Sequence, residues 1–218
     1  MDPEALADIL IELQNRGCHN INFVSPSHVA AQILKAIYLA IPKGLKIPLV
    51  YNTGGYDSLE TLGYFDGIID VYLPDMRYDD DKLAKDYSGA KNYRVYNRQA
   101  VKEMFRQVGT AQFDENEVIQ KGLIVRHLVL PNDLAGTDEV MRFIAKEVSK
   151  ETYISLMSQY FPCFNALKEP KLARRITQAE YDLAKSQMFI NGLKNGWVQD
   201  EHGLDRFAGT NIKPNITP

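Results

Sequence analysis

Leu123-Ile124-Val125-Arg126-His127-Leu128-Val129-Leu130 runs almost unbroken in apolar residues and stops on Pro131-Asn132-Asp133. A near-continuous apolar run closed by a turn signal predicts a strand covered on both faces, as in a parallel sheet with flanking helices. Two other runs stop the same way. Ile47-Pro48-Leu49-Val50-Tyr51 runs into Asn52-Thr53-Gly54-Gly55, and Ile68-Ile69-Asp70-Val71-Tyr72-Leu73 runs into Pro74-Asp75-Met76-Arg77. In parallel α/β sheets ligands collect at the carboxyl ends of the strands, so these polar clusters read as walls of one small-molecule site.

Outward from these runs the chain alternates strand and helix. Asn20 to Val24 and Tyr153 to Met157 read as two further strands. Helical periods fill the intervals. One carries Leu6, Ile9, Leu10 and Leu13 behind Asp2-Pro3-Glu4, and Gly17 stops it. Others carry Val29 to Ile41, about Ser58 to Phe65, and Val95 to Val108, where Ser88-Gly89 breaks off an earlier piece. Thr137 is placed to cap the helix holding Val140, Phe143, Ile144 and Val148. Thr177-Gln178-Ala179-Glu180 is a capping box opening the last long helix. Thr110 to Lys121 reads as a polar loop with room for a small hairpin, and the residues after Asp200 as a loose tail. Five strands, each followed by a helix, imply βαβ units in one α/β domain over residues 1–199, with a tail at 200–218. The helix before the first strand is the one irregularity.

Composition narrows the function classes. The chain has 218 residues and a net charge of −3, without the Lys/Arg stripe of a nucleic-acid-binding surface. No apolar stretch is long enough to span a bilayer, and no basic-then-apolar leader opens the chain. Two cysteines, Cys18 and Cys163, provide neither a disulfide framework nor metal-ligand spacing, so a cytoplasmic setting is the expectation.

Several residues can carry chemistry. The glycines of Asn52-Thr53-Gly54-Gly55 allow close backbone approach, either to a ligand or within a tight βα turn. Asp70, alternating with Ile69 and Val71, is placed to point into a barrel interior, where an unpaired charge is costly. Asp75 and Arg77 can pair with each other or hold a polar ligand end. Arg126 and His127 must face opposite sides of their strand, and a buried arginine there needs an anion: Asp75, or a ligand carboxylate or phosphate. His127 is open to two readings, an acid/base group or a satisfied core histidine. Tyr160, after the fifth strand, can stack on a planar base or close the core.

Taken together, Gly17-Cys18-His19-Asn20-Ile21-Asn22-Phe23-Val24-Ser25-Pro26, Leu49 to Tyr56, Asp70 to Tyr78, Val125 to Pro131 and Ser155 to Tyr160 resemble radical S-adenosylmethionine (radical SAM) proteins. The resemblance is to relatives of the pyruvate formate-lyase activating enzyme, and it runs over about residues 2–198 in family order. It implies a partial (β/α)6 barrel of parallel strands with the cofactor across the strand carboxyl ends. By position it implies that Asn52, Thr53 and Gly54 meet the ribose and methionine part of S-adenosylmethionine. Asp75 and Arg77 match an Asp-x-Lys pair, Arg126 matches an arginine reaching the cofactor carboxylate, and Tyr160 lies where the adenine is approached. Ser25-Pro26 stands where relatives often carry Gly-Gly-Glu, a motif absent here.

The resemblance also implies a [4Fe–4S] cluster on a Cys-x-x-x-Cys-x-x-Cys loop after a first strand, which reductively cleaves the cofactor to a 5′-deoxyadenosyl radical. That radical abstracts hydrogen from a partner protein or another substrate. Neither the loop nor its strand is found here, so the expectation is a barrel with its first strand missing, a truncated chain unable to cleave the cofactor alone. Two other functions stay open. One is a cluster-free lyase or hydrolase acting on a small anion, with His127 as acid/base and Arg126 as clamp. The other is a non-catalytic interaction subunit. A sheet lacking a strand also exposes an edge prone to association.

Overall fold

A computed structural model describes residues 2–198. Its helices are α1 (Pro3–Asn15), α2 (Ala30–Ala40), α3 (Leu59–Gly63), α4 (Asp81–Ser88), α5 (Tyr93–Val108), α6 (Thr137–Phe143) and α7 (Gln178–Ile190). The strands are β1 (Ile21–Val24), β2 (Leu49–Thr53), β3 (Val71–Pro74), β4 (Gln112–Phe113), β5 (Ile119–Leu128), β6 (Tyr153–Met157) and β7 (Gly196–Val198). They form one sheet in the order β1-β2-β3-β5-β6-β7, parallel throughout, while short β4 runs antiparallel to β5. The order never doubles back. Each strand is laid beside the one before it, as in a barrel wall, whereas a doubly wound sheet reverses direction at a switch point.

Local chemistry explains most boundaries. The Asp2 carboxylate accepts from Ala5 N at 2.7 Å and opens α1. Ser58 and Asp80 cap α3 and α4 in the same manner, and Gly89 ends α4 in the left-handed conformation. Thr177 and Glu180 form the expected capping box of α7. Thr137 does not cap α6. That position belongs to Gly136, and the threonine is the first residue of the helix, with its hydroxyl used elsewhere. α6 ends in a π-helical turn over Ile144–Val148. The polar loop before β5 does carry a hairpin, which lengthens β5 back to Ile119. β7 was not expected from sequence, and the expected tail at 200–218 lies outside the described residues.

The two faces of the sheet differ. Ile21, Phe23, Leu49, Tyr51, Tyr72, Leu123, Val125, Ile154 and Leu156 share the helix-packed face and its core. Asn22, Val24, Asn52, Leu73, Arg126, Ser155 and Trp197 share the other by register. Its floor, Val50, Val71 and Ile124, is buried, but Val24 is 69% exposed and Trp197 51%. The expectation of strands covered on both faces therefore holds for the floor of the central strands, fails at the edge strands β1 and β7, and fails in part towards the carboxyl ends, where Asn52, Leu73 and Arg126 are partly exposed. That open face is where a ligand can enter.

Candidate functional site

Asp75 directly follows β3, opposite Arg126 of β5. Its carboxylate is buried, with a side-chain exposure of 5%, and lies between two guanidinium groups. Arg77 donates to Oδ2 from Nε at 3.0 Å and from Nη2 at 2.6 Å. Arg126 Nη2 stands 2.6 Å from Oδ1. That second contact is one of charge more than of alignment, since Oδ1 and Arg126 Nε both lack a well-directed hydrogen bond. Two positive charges and one negative leave the cluster net positive. Arg126 is partly exposed and Arg77 half exposed, so the surplus charge meets solvent. The arrangement can take an anionic group, and the buried Arg126 Nε is a donor still to be satisfied.

The backbone under these groups is held at every residue. Asp75 N donates to Thr53 O at 2.9 Å and Met76 N to Arg126 O at 2.9 Å. Arg77 N donates to the Tyr93 hydroxyl at 2.9 Å. Asp75 O accepts from Asn97 Nδ2 at 2.9 Å and from the Tyr93 hydroxyl at 3.3 Å. Tyr93 is buried, and burial pushes its phenol well above the ordinary range, so the hydroxyl keeps its proton. The cluster stands on rigid backbone, as a preorganised binding site requires.

Of the other expected site residues, Asn52 projects from the same open face, in register with Val24 and Leu73. Thr53 does not join it. Its side chain is turned to the helical side, where the hydroxyl donates to Asp57 Oδ2 at 2.6 Å. Gly54 is partly exposed with open space where a Cβ would lie. The glycine that the turn requires is Gly55. It has φ +75°, and a Cβ there would stand 2.2 Å from Asp75 O and 2.3 Å from Asn97 Nδ2. The close approach is thus within the chain itself, which is the tight-turn reading of the paired glycines. Tyr160 lies beyond β6, its hydroxyl donating to Leu172 O at 2.9 Å and its ring packed with Leu130, Leu134 and Leu172. The structure brings Asp75, Arg77 and Arg126 together and leaves Thr53 and Tyr160 committed elsewhere.

One expectation is corrected, and the choice left open at His127 is decided. Asp70 does not point into a barrel interior: Oδ2 accepts from Leu49 N at 2.8 Å, at the amino ends of the strands. His127 is fully buried on the helical face. Nδ1 lies 2.7 Å from Met76 O and Nε2 lies 3.0 Å from the Thr137 hydroxyl. The only tautomer that serves both carries its proton on Nδ1, donates it to the carbonyl, and accepts at Nε2 from threonine. Burial pushes the imidazole below its ordinary pKa, keeping it neutral. It is a satisfied core histidine and cannot reach a substrate as acid or base.

Sequence reasoning missed Asp57, an acid buried to 4% exposure in the turn after β2. The Tyr51 hydroxyl donates to Oδ1 at 3.0 Å and the Thr53 hydroxyl to Oδ2 at 2.6 Å. Only a partial signal existed, since nothing in the sequence shows that the turn folds Asp57 back. Tyr51 and Thr53 sit two apart on one strand face, a spacing that aims both hydroxyls at whatever the following turn folds back.

Cys18 lies between α1 and β1, at the amino end of the sheet, and Cys163 lies beyond β6. No group of three or more His, Cys, Asp or Glu side chains able to hold a metal occurs among the described residues. No helix of the described residues is long and apolar enough to cross a membrane.

No family model matches the chain. Among curated proteins, an uncharacterized protein of Methanocaldococcus jannaschii is 29% identical over 192 residues, covering 84% of this chain and 49% of that protein. The chain therefore spans about half the length of the curated relative it matches. Among solved structures, a domain of pyruvate-formate lyase-activating enzyme from Bacteroides vulgatus matches with a TM-score of 0.58 and 10% identity. The match covers 83% of this chain and 98% of that domain. At this identity the likeness is one of architecture: the chain has an α/β fold with a parallel sheet similar to that of a pyruvate-formate lyase-activating enzyme domain.

Proposed function

We propose that this chain forms the part of a radical S-adenosylmethionine barrel that holds the organic portion of S-adenosylmethionine, in an activase-like protein. The observation that carries the reading is the net-positive Arg77–Asp75–Arg126 cluster at the strand carboxyl ends of the open face. The resemblance of the surrounding segments and the architecture shared with an activating-enzyme domain support it.

The residues fit the amino-acid end of the cofactor. Arg126 supplies positive charge from a partly exposed guanidinium for the carboxylate, and Asp75 holds Arg126 and Arg77 in place. Asn52 offers both a donor and an acceptor on the same face for a hydroxyl or ammonium group. When bound, S-adenosylmethionine supplies a sulfonium whose carbon–sulfur bond is the reactive element. The chain's own part is to bind and orient that molecule.

The residues do not fit the [4Fe–4S] cluster. Cys18 and Cys163 are the only cysteines of the 218 residues, and they lie on different elements away from the cluster of charges. On this reading the iron ligands are supplied from outside these 218 residues, which alone do not cleave the cofactor. A protein substrate is the activase-type partner.

Equilibrium dialysis with labelled S-adenosylmethionine tests the reading. Saturable binding that weakens about tenfold in Arg126→Gln supports it, the loss expected for a charge-assisted contact. Equal binding by both proteins overturns the assignment. Anaerobic reconstitution that yields a stoichiometric [4Fe–4S] cluster on this chain overturns the claim about the iron ligands.

A further inference from the structure

On the helical side of β2, opposite the charge cluster, an open pocket of about 450 Å3 is lined by Tyr56, Asp57, Ser58, Leu59, Tyr96 and Gln99. The volume lies within the range of small-molecule sites. Tyr56 and Tyr96 meet edge to face, with ring centres 5.6 Å apart and planes at 89°, and together form an aromatic corner. Tyr56 is fixed there by stacking on Tyr93 and by donating from its hydroxyl to Lys91 O at 2.7 Å.

Asp57 gives the pocket its charge. The carboxylate is held only by the neutral hydroxyls of Tyr51 and Thr53, one on each oxygen, and no Lys, Arg or His pairs with it among the described residues. Each oxygen keeps a further acceptor position. A buried carboxylate without a cation is costly, and burial pushes its pKa up from the ordinary value against the pull of its two hydrogen bonds. No lining residue carries positive charge. The lining thus combines one uncompensated anion with two aromatic rings, the complement of an organic ammonium group.

We propose that this pocket is a binding site for a primary organic ammonium, with Asp57 as counter-ion and Tyr56 and Tyr96 as the aromatic wall. It is independent of the S-adenosylmethionine reading, because Asp57 and Thr53 face the helices while Arg126 and Asn52 face the opposite side. The ammonium can belong to a free amine or to a lysyl side chain.

The test is a chemical-shift titration of the full chain with n-butylammonium, beside n-butanol as the uncharged probe and Nα-acetyl-lysine methylamide as the lysyl probe. The expected result is saturable shifts at Tyr56, Ser58, Tyr96 and Gln99 with n-butylammonium, and at least about tenfold weaker binding of n-butanol. Tyr96→Leu should weaken the ammonium about two- to fivefold. Tyr38→Leu, on α2, should leave it unchanged. Asp57→Asn should weaken it at least about tenfold. Should that variant fail to fold, Gln99→Lys, at an exposed position, carries the same demand by placing a competing ammonium over the pocket. Binding of the lysyl probe as tight as n-butylammonium identifies a lysyl source, and binding of n-butylammonium alone a free amine. Equal binding of n-butanol, or full affinity in Asp57→Asn or Gln99→Lys, overturns the proposal.

Discussion

Arg126 and Asp75 occupy opposed register positions at the ends of β5 and β3, and their Nη2 and Oδ1 atoms stand 2.6 Å apart. Arg77, two residues on, takes the other oxygen. One buried carboxylate therefore anchors two cations, and the three groups form a unit.

Removing the shared anion should be the most damaging change in that unit. Asp75→Asn leaves two neighbouring guanidinium groups facing each other without a counter-charge, and should lower stability by about 2–3 kcal/mol in urea unfolding. Arg126→Gln leaves Asp75 paired to Arg77 and should cost about 1 kcal/mol. The double variant should cost less than the sum, the sign of direct coupling. Additive losses would show that Asp75 and Arg126 act separately.

His127 should matter for stability alone. His127→Gln is expected to destabilise the fold by about 1–3 kcal/mol, because a buried ring with two satisfied nitrogens is lost. Binding of S-adenosylmethionine should change less than twofold. The folded-state pKa is depressed, so the unfolded chain takes up a proton first as pH falls below the ordinary histidine value of about 6.5. The wild type should lose stability as pH falls from there towards the folded value, and the Gln variant should show a flatter profile. A wild-type profile parallel to the variant's would contradict the buried, neutral assignment.

Gly54 and Gly55 should part company on alanine substitution. At Gly55 a Cβ meets Asp75 O at 2.2 Å and the backbone is left-handed, so Gly55→Ala should cost about 2–4 kcal/mol. At Gly54 nothing lies within 4 Å, and Gly54→Ala should stay within about 0.5 kcal/mol of wild type. Thermal unfolding of the pair decides this.

Glu180 joins the cap of α7 to the loop after β5. It accepts from Thr177 N at 2.8 Å and Asn132 N at 2.7 Å, and pairs with Arg174 at 2.7 Å. Hydrogen bonding from Arg174, then from these backbone groups, pulls its carboxyl down to about 2. The stability it contributes is fully present above the ordinary value of about 4.3 and is lost as pH falls towards about 2. Glu180→Gln should cost about 1 kcal/mol at neutral pH, with the difference from wild type vanishing across that window. A difference that persists at the acid end would show that the contribution is steric.

The parallel strands were legible because their apolar runs end on turn residues, and the caps at Asp2 and Thr177 because capping follows local spacing. Arg126 against Asp75 was readable from strand alternation and the cost of burying a lone cation. Three features were not. β7 is only Gly196-Trp197-Val198, too short for a pattern, and it is admitted beside β6 because a glycine stands where a Cβ would meet Ile154 O at 2.0 Å. Thr137 sits where a cap is expected, but its hydroxyl serves His127 ten residues earlier, a tertiary demand that outranks local propensity. Thr53 reads as a ligand-facing polar residue until the turn brings Asp57 back beneath it.

S-adenosylmethionine bound on the open face at the strand carboxyl ends should be visible in a backbone chemical-shift map of the full chain titrated with it. Saturable shifts are expected at Asn52, Asp75, Met76, Arg77 and Arg126, and they should be lost in Arg126→Gln with the rest of the spectrum unchanged. Absence of saturable shifts, or shifts confined to α7 and the loop around Tyr160 and Leu172, would contradict that placement.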